Sequence, residues 1–232
     1  MCIRDSRIEV QGRAALRAGG AIVDLILRDV TELRLTQQIA RARAVVLERL
    51  VSAGSLPEIF DALIKHIGRI YPEHPASILL LQGERLHYAA SVGLPQFYND
   101  AIEGLQIGPN VGSCGAAAYS GVIHVASDIH TDPNWIPFIA LADRAGLAAC
   151  WSQPVFGESG RVIGTIAVYS TEPQSPRPVD LRVLEECSRL ASLAIQRRQA
   201  DSALAEWSRT WKPWFAAAQM TCGKANVLAD QR

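Results

Sequence analysis

Residues 147–169 read LAACWSQPVFGESGRVIGTIAVY and contain the strongest secondary-structure signal of the chain. Apolar residues dominate the two arms, 147–156 and 162–169, and the residues between the arms include two glycines. Two apolar runs around a short glycine-containing turn are typical of a β-hairpin. Because a hairpin pairs its strands antiparallel, this stretch predicts an antiparallel sheet.

The sequence also predicts a second hairpin and two long helices. The runs 76–81 and 85–92 predict two further strands. A capping box formed by Ser55 and Glu58 begins one helix, and residues 179–198 have the apolar periodicity of another. Strands grouped in hairpins beside helices predict an α+β fold, and we expect the helices on one side of the sheet.

The segment between the hairpins is rich in loops and short elements. Residues 116–120 predict a helix of small residues, and residues 122–125 predict a strand. Asp132 followed by Pro133 is a typical helix start, with an N-cap and a proline at the first helical position. This signal predicts a helix that continues to Arg144.

The composition excludes several classes of protein. The chain has 232 residues, 23 Lys plus Arg against 23 Asp plus Glu, and 49% hydrophobic residues. Such a chain is neither disordered by composition nor a general nucleic-acid binder. It contains no membrane segment, because no apolar run approaches about 20 residues. The five cysteines form no C-x-x-C pair and residues 1–7 do not resemble a signal peptide, so we expect a cytoplasmic protein.

The N-terminal region predicts a hairpin followed by a helix. Residues 8–30 contain two apolar runs around a Gly-Gly turn, Asp29 can cap a helix over 31–53, and residues 1–6 resemble a stray translated segment. This helix carries an apolar stripe that predicts a coiled-coil seam and a parallel homodimer. A helix packed on its own domain would show the same stripe. The stripe consists of Leu35, Ile39, Ala42, Val46 and Leu50.

The C-terminal region differs in composition and pattern from the preceding residues. Residues 201–232 contain three of the five tryptophans, and Pro213 interrupts any helical pattern. We therefore predict a disordered or aberrant tail. A tryptophan-rich docking segment is the alternative.

The motifs of the chain resemble two known families. Residues 54–200 are similar to a GAF domain over the whole unit. Residues 1–30 resemble the last hairpin of a PAS domain, because Asp29-Val30-Thr31-Glu32 is similar to the signature that ends that family. The GAF resemblance depends on Gly108-Pro109, Gly112-Ser113-Cys114-Gly115, Asp128-Ile129, Asp132-Pro133-x-Trp135, Gly146-Leu147-x-Ala149-Cys150-Trp151-Ser152 and Gly160-x-Val162-x-Gly164-Thr165.

These resemblances imply a GAF-type antiparallel sheet flanked by helices, with long N- and C-terminal signalling helices. They imply a sensory module of a bacterial signal-transduction protein, which binds a small molecule or a partner and relays it through helices to an output domain. That output would be cyclic di-GMP turnover by GGDEF and EAL domains, or a histidine kinase; no motif of either lies in these residues. Because the cyclic-nucleotide and bilin signatures of GAF domains are absent, no ligand or cofactor is named.

The candidate pocket follows from the resemblance and from residue chemistry. Small residues at a helix start let a ligand approach the backbone, and tryptophans can stack on a planar ligand. Tight packing and core roles explain the same residues without a ligand. An N-cap role explains Asp132 better than metal binding beside His130 does, so no metal site is predicted. The candidate residues are Gly112, Ser113, Cys114, Asp128, Asp132, Trp135, Cys150 and Trp151.

A thiol at a helix start is also a candidate nucleophile. The free methionine sulfoxide reductases are GAF proteins with a Gly-x-Cys-Gly element similar to the one around Cys114. Their pattern needs an upstream cysteine, where this chain has Gly104, and another after the following strand. Cys150 is out of register, so we expect Cys114 to lack a redox partner and the chain not to be an enzyme. Such a reductase and a ligand-free dimerisation scaffold remain the alternatives.

Overall fold

The computed structural model describes residues 8–17, 20–29, 31–51 and 55–229. Side chains are described throughout 55–207 and at some positions of 31–51. Among the described residues, no helix is long and apolar enough to cross a membrane. In chain order the elements are β1 (Ile8–Arg17), β2 (Gly20–Asp29), α1 (Thr31–Val51), α2 (Leu56–Ile70), β3 (Ala76–Gln82), β4 (Arg85–Val92), α3 (Gln96–Ile102), β5 (Leu105–Gln106), α4 (Gly112–Ser120), β6 (His124–Ala126), a 3-10 helix (Pro133–Phe138), α5 (Ile139–Ala145), β7 (Ala149–Phe156), β8 (Val162–Ser170) and α6 (Pro178–Ala229).

The centre of the molecule is a six-stranded antiparallel sheet with the strand order β5-β4-β3-β8-β7-β6. Both predicted hairpins, β3–β4 and β7–β8, are present with nearly the predicted bounds. The two hairpins join through β3 and β8, whose register runs from the pair Ala76 and Val168 to the pair Leu80 and Gly164. The predicted α+β antiparallel fold is therefore confirmed, and the short strand β5 is an addition that the sequence did not predict.

The two faces of this sheet bury separate cores. Along β8, Ile166 and Val168 belong to one core, and Ala167 and Tyr169 belong to the other. This division follows from the alternation of side chains along a strand. We call the side that packs against α2 and α6 the α6 face, and the side that packs against α3, α4 and α5 the α4 face.

Helices cover both faces, so the prediction of helices on one side of the sheet is wrong. The physical reason is visible in the strands themselves. Both β7 and β8 are nearly continuously buried. A strand that is apolar on both sides must be covered on both sides, whereas a half-exposed strand alternates with polar residues.

The N-terminal residues form the predicted hairpin and helix. Strands β1 and β2 pair antiparallel from Ile8 and Asp29 to Arg17 and Gly20, and the turn at 18–19 lies outside the described residues. Helix α1 follows directly. Within the predicted dimer stripe only the side chain of Ile39 is described, and it packs against the core of the α6 face. The other four side chains of the stripe lie outside the described residues.

Helix α6 continues to Ala229, so the predicted disorder of the tail is wrong for residues 201–229. Residues 230–232 lie outside the described residues. Pro213 was expected to end the helix, but an interior proline removes one backbone hydrogen bond and costs about 3 kcal/mol. A helix of 52 residues retains its other hydrogen bonds. Alanine-rich stretches on both sides of the proline, such as 216–218, also favour helix.

Candidate functional site

A small cavity lies on the α4 face, between the sheet and the helices that cover it. The volume open to the centre of a water molecule is about 20 Å³, roughly the room that one water needs. The cavity is therefore almost filled by the protein's own side chains. Its lining residues are Leu79, Tyr98, Ile102, Leu105, Val111, Gly112, Ser113, Cys114, Trp135, Phe138, Leu141 and Tyr169.

Helix α4 forms one wall and begins four residues earlier than predicted, at Gly112. Gly112 has a φ of +51°, a backbone conformation that glycine adopts without strain. A Cβ atom at Gly115 would lie 2.6 Å from the side chain of Val111, so only glycine fits there. These small residues bring α4 close to β7, where the hydroxyl of Ser113 donates to the carbonyl of Cys150 at 3.4 Å.

The segment that closes the cavity differs from the single helix predicted for residues 133–144. It consists of the 3-10 helix followed by α5, with Pro137 inside the first of these. Proline has no N–H group, which prevents a continuous α-helical ladder at this point. The predicted N-cap is confirmed, because the carboxylate of Asp132 accepts from the backbone N–H of Asn134 at 2.8 Å.

Trp135 anchors this segment to α4. Its indole Nε1 donates to the hydroxyl of Ser113 at 2.9 Å, and the tryptophan is only 3% exposed. The ring of Phe138 meets it edge to face, with the centroids 6.5 Å apart. Gly112 lies against the indole, since a Cβ atom there would be 3.8 Å from the ring. Trp135 therefore lines the cavity as a fixed wall.

His124 of β6 completes this hydrogen-bond network, although sequence reasoning did not place it in the site. Its Nδ1 lies 3.2 Å from the hydroxyl of Ser113, and its Nε2 lies 2.7 Å from the amide nitrogen of Asn134. All partners are satisfied when Nδ1–H donates to Ser113 and Nε2 accepts from Asn134. The carboxylate of Asp132 is 3.7 Å from the same Nε2. The network joins β6, α4 and the 3-10 helix.

Two buried cysteines lie on the α4 face of the sheet. Cys114 projects from α4, and its sulfur lies 3.9 Å from the phenol oxygen of Tyr169, the register partner of Cys150. Cys150 belongs to the same buried core cluster as Cys114, and both cysteines are free. The expectation that Cys114 lacks a redox partner stays a prediction, because both cysteines are free in the structure.

The electrostatics of the cavity are those of a neutral site. The described residues that line it include no Asp, Glu, Lys, Arg or His. Burial raises the pKa of Tyr98 and Tyr169 well above the ordinary value, so both phenols stay protonated. Within the described ranges, no three His, Cys, Asp or Glu side chains group closely enough to hold a metal ion.

Four of the predicted pocket residues do not line the cavity, namely Asp128, Asp132, Cys150 and Trp151. Trp151 belongs to the core of the α6 face, where its ring lies 6.0 Å from that of His74. Because Trp151 and Cys150 are neighbours in one strand, they point to opposite faces. Asp128 does not line the cavity either, since its carboxylate accepts from the backbone N–H of His130 at 2.9 Å in an outer loop.

Several cavity residues were not predicted. Tyr98 and Tyr169 meet edge to face with centroids 5.8 Å apart and form the floor together with Leu79. Strand alternation could have found Tyr169, because it faces the same side as Ala167 and the opposite side from Val168. Tyr98 and Ile102, spaced four apart on α3, carried the signal of an inward helix face.

Comparison with known sequences identifies the family. Residues 53–196 match the GAF domain family, and the chain belongs to it. The methyl sulfide methyltransferase-associated sensor of Methanosarcina acetivorans is 32% identical over 192 residues, which are 82% of this chain and 19% of that protein. The chain thus spans about a fifth of the length of that curated relative.

Solved structures agree on the fold. The GAF domain of an Acinetobacter phosphoenolpyruvate-protein phosphotransferase superposes with a TM-score of 0.58 at 17% identity, covering 73% of this chain and 98% of that chain. The free methionine-R-sulfoxide reductase of Neisseria meningitidis, solved with its substrate, gives a TM-score of 0.57 at 17% identity, covering 72% of this chain and 91% of that chain. At these identities the similarity establishes the fold alone.

Proposed function

We propose that this chain is the sensory GAF module of a bacterial signal-transduction protein and that it binds a small uncharged molecule in the cavity on the α4 face. The observation that carries the proposal is the cavity wall, which offers apolar, thiol and hydroxyl groups and no charge among the described lining residues. Such a wall favours an apolar or aromatic ligand with few polar groups, because burying an unpaired charge is costly. The similarity to a protein named a sensor supports the proposal.

Ligand binding would displace the segment that closes the cavity. The present space suits about one water, so a larger molecule requires the 3-10 helix to move outward. Hydrogen bonds at Ser113 and His124 hold this segment in the closed position. A ligand shifts such an equilibrium by the difference between its affinities for the two positions.

The signal would leave the module through the helices of the α6 face. Strands β7 and β8 carry the α4 face on one side and pack against α6 on the other. The guanidinium of Arg43 in α1 pairs with the carboxylate of Glu186 in α6, so the two long helices are joined. In a parallel homodimer, a change in their packing would reach an output domain for cyclic di-GMP turnover or a histidine kinase.

The same proposal includes the domain arrangement and the compartment. Residues 1–30 would be the end of a PAS domain, 31–53 the connecting helix and 54–200 the GAF domain. The direct passage from β2 into α1 supports this arrangement. A cytoplasmic location fits the three buried cysteines that the structure describes as free.

A free methionine sulfoxide reductase is the second candidate function, because Cys114 lines the cavity and a reductase of this kind shares the fold. The charge of the cavity argues against it. Free methionine sulfoxide carries an ammonium and a carboxylate, and the described lining residues offer neither group an ionic partner. Turnover in a thioredoxin-coupled assay that disappears in Cys114→Ser would support the reductase, and absence of turnover would exclude it.

Native mass spectrometry of the full chain, purified without refolding, tests the sensory proposal. We expect a dimer that retains a small neutral molecule, or a chain whose melting temperature rises with indole as a neutral aromatic probe and not with cyclic AMP. Leu105→Trp should abolish either signal by filling the cavity. Val125→Trp is the matched control, because it changes the strand at the opposite edge of the sheet.

The outcome separates the alternatives. A bare mass together with no thermal shift from indole or phenol would contradict the sensory proposal and favour a ligand-free dimerisation scaffold. A signal that survives in Leu105→Trp would place the ligand outside the cavity.

A further inference from the structure

The exposure of the lining residues indicates where the cavity opens to solvent. Most of the described residues that line it are buried, whereas Leu105, Val111, Phe138 and Leu141 are half-buried. Leu105 in β5 and Val111 just before α4 lie on one side, and Phe138 and Leu141 belong to the segment that closes the cavity. The entrance therefore runs between these two pairs. All four side chains are apolar, which favours the entry of a neutral molecule.

The closing segment is held firmly at the end that forms the 3-10 helix. The indole of Trp135 donates to the hydroxyl of Ser113 at 2.9 Å, and the amide nitrogen of Asn134 lies 2.7 Å from the imidazole of His124. Trp135 and Ser113 are also nearly fully buried. Breaking buried hydrogen bonds leaves polar groups unpaired, which is costly. We therefore expect this end of the segment to open last.

The other end of the segment, helix α5, is held by weaker polar contacts. The guanidinium of Arg144 lies over the ring of Phe97 in α3, 4.0 Å from the ring centroid. The carboxylate of Asp143 lies 2.8 Å from the imidazole of His130 in an outer loop, and both side chains are about half exposed. A cation–π contact at an exposed site and an exposed ion pair each contribute little to stability. Helix α5 is therefore the end that opens more easily.

The break at Pro137 allows the two ends to move separately. Pro137 lies inside the 3-10 helix, and because it lacks an N–H group it interrupts the backbone ladder between Trp135 and α5. Helix α5 has seven residues, about two turns. A helix of this length is not stable by itself, so its position depends on packing against its neighbours. Helix α5 can thus lift without carrying Trp135 with it.

We propose that helix α5 is a strap across the entrance, attached to α3 by Arg144 over Phe97. A neutral molecule enters between Leu105 and Leu141 when this strap lifts, while Trp135 remains in place. The inference rests on the ligand-binding function proposed above and adds the entry step, which precedes any movement of the 3-10 helix. Leu141 lines the cavity, and Arg144 follows it about one turn later on the same helix. A molecule that presses on Leu141 would therefore also loosen the contact with Phe97.

The free thiol of Cys114 can report how often the strap lifts, without any ligand. Cys114 lines the cavity and is only 8% exposed. A reagent larger than the cavity reaches this thiol only when the entrance opens. Methyl methanethiosulfonate, a small neutral thiol reagent, is added to the full chain. Chymotryptic peptide mapping by mass spectrometry then gives the labelling rate of each cysteine.

Arg144→Met and Phe97→Leu each remove the contact between the strap and α3. We expect each variant to speed the labelling of Cys114 by about two- to fivefold, which corresponds to the loss of an exposed cation–π contact. Because both variants remove the same contact, the double variant should be no faster than the faster single variant. Arg161→Met is the matched control, since Arg161 is exposed in the turn between β7 and β8 and does not line the cavity. Cys187 on the α6 face should keep its rate in every variant.

The labelling rates can also overturn the proposal. Unchanged labelling of Cys114 in both variants would mean that the contact with α3 does not limit access to the cavity. Faster labelling in Asn134→Ala together with no change in Arg144→Met would place the entrance at the 3-10 helix instead. An equal rise at Cys187 would show a general opening of the domain rather than a strap. Since no ligand takes part, the melting temperature with indole tests the ligand-binding function separately.

Discussion

The two faces of the sheet are both buried, yet they are built from different side chains. Large side chains such as Phe60, Leu63 and Ile166 fill the α6 face and are at most 1% exposed. The α4 face sets thiols and hydroxyls against a helix of small residues and leaves a cavity. Strand β7 takes part in both, because Trp151 points to the α6 face and Cys150 to the α4 face.

The difference in side chains suggests that the two faces contribute differently to the stability of the fold. A core of closely packed apolar side chains contributes most to folding and tolerates little change. The α4 face buries the hydroxyls of Ser152 and Thr165 without a hydrogen-bond partner among the described residues, and unpaired polar groups are costly to bury. Residues that sacrifice stability in this way are expected at functional sites. The comparison therefore places the filled apolar core on the α6 face and the cavity with the buried polar groups on the α4 face.

The largest expected effect is a difference in the free energy of unfolding lost when one leucine on each face is replaced by alanine. Leu184 of α6 is 1% exposed within the filled core, so Leu184→Ala should lower the free energy of unfolding by about 3 kcal/mol. Leu141 lines the cavity and is partly buried, so Leu141→Ala should cost about 1 kcal/mol. Urea unfolding of the full chain measures both values. Equal losses would remove the distinction between the faces.

An intermediate effect is expected at the hydroxyl that holds the cavity closed. Ser113→Ala would leave the indole N–H of Trp135 and the Nδ1–H of His124 without their acceptor, at a cost of about 2 kcal/mol. Urea unfolding measures the loss, and faster hydrogen exchange of the Trp135 indole reports the opening. Ser127→Ala is the control, because Ser127 bonds Ser175 in an exposed pair. A slow indole exchange in Ser113→Ala would show that the segment is held by packing instead.

The smallest effect is expected at the junction of the long helices. Arg43→Ala removes the ion pair with Glu186, which is exposed on the arginine side, so the urea midpoint should hardly change. Amide hydrogen exchange in α1 should nevertheless become faster, because α1 loses an attachment to α6. Lys65→Ala breaks an ion pair within α2 and is the control. Unchanged exchange in α1 would mean that apolar contacts such as that of Ile39 suffice to dock the helix.

The fold was predictable wherever local signals agree with tertiary packing. Both sheet hairpins and the capping box at the start of α2 were predicted, and the carboxylate of Glu58 does accept from the backbone N–H of Ser55 at 2.7 Å. Two of the failures occur at prolines. Pro137 divides a predicted single helix, whereas Pro213 does not end α6. A proline inside a helix lowers the stability of that helix by a known amount, but the surrounding structure decides whether the helix forms nevertheless.

The site was predictable in part. Gly112, Ser113, Cys114 and Trp135, singled out by the family resemblance, do line the cavity. Trp151 was grouped with them because it stands beside Cys150 in the sequence, but strand alternation turns it to the other face. Tyr169 was overlooked although it lies opposite Cys150 across the β7–β8 ladder.

The sequence by itself determined the hairpins, the capped start of α2 and the family, because these depend on residues that are close together in the chain. It also determined that small residues, rather than large ones, begin α4. Only the tertiary structure decided that Cys114 lies beside Tyr169, that His124 contacts Ser113, and that no Asp, Glu, Lys, Arg or His is among the described residues that line the cavity. Such contacts join distant segments, and their geometry follows from how α4 packs on the sheet, which no local spacing encodes.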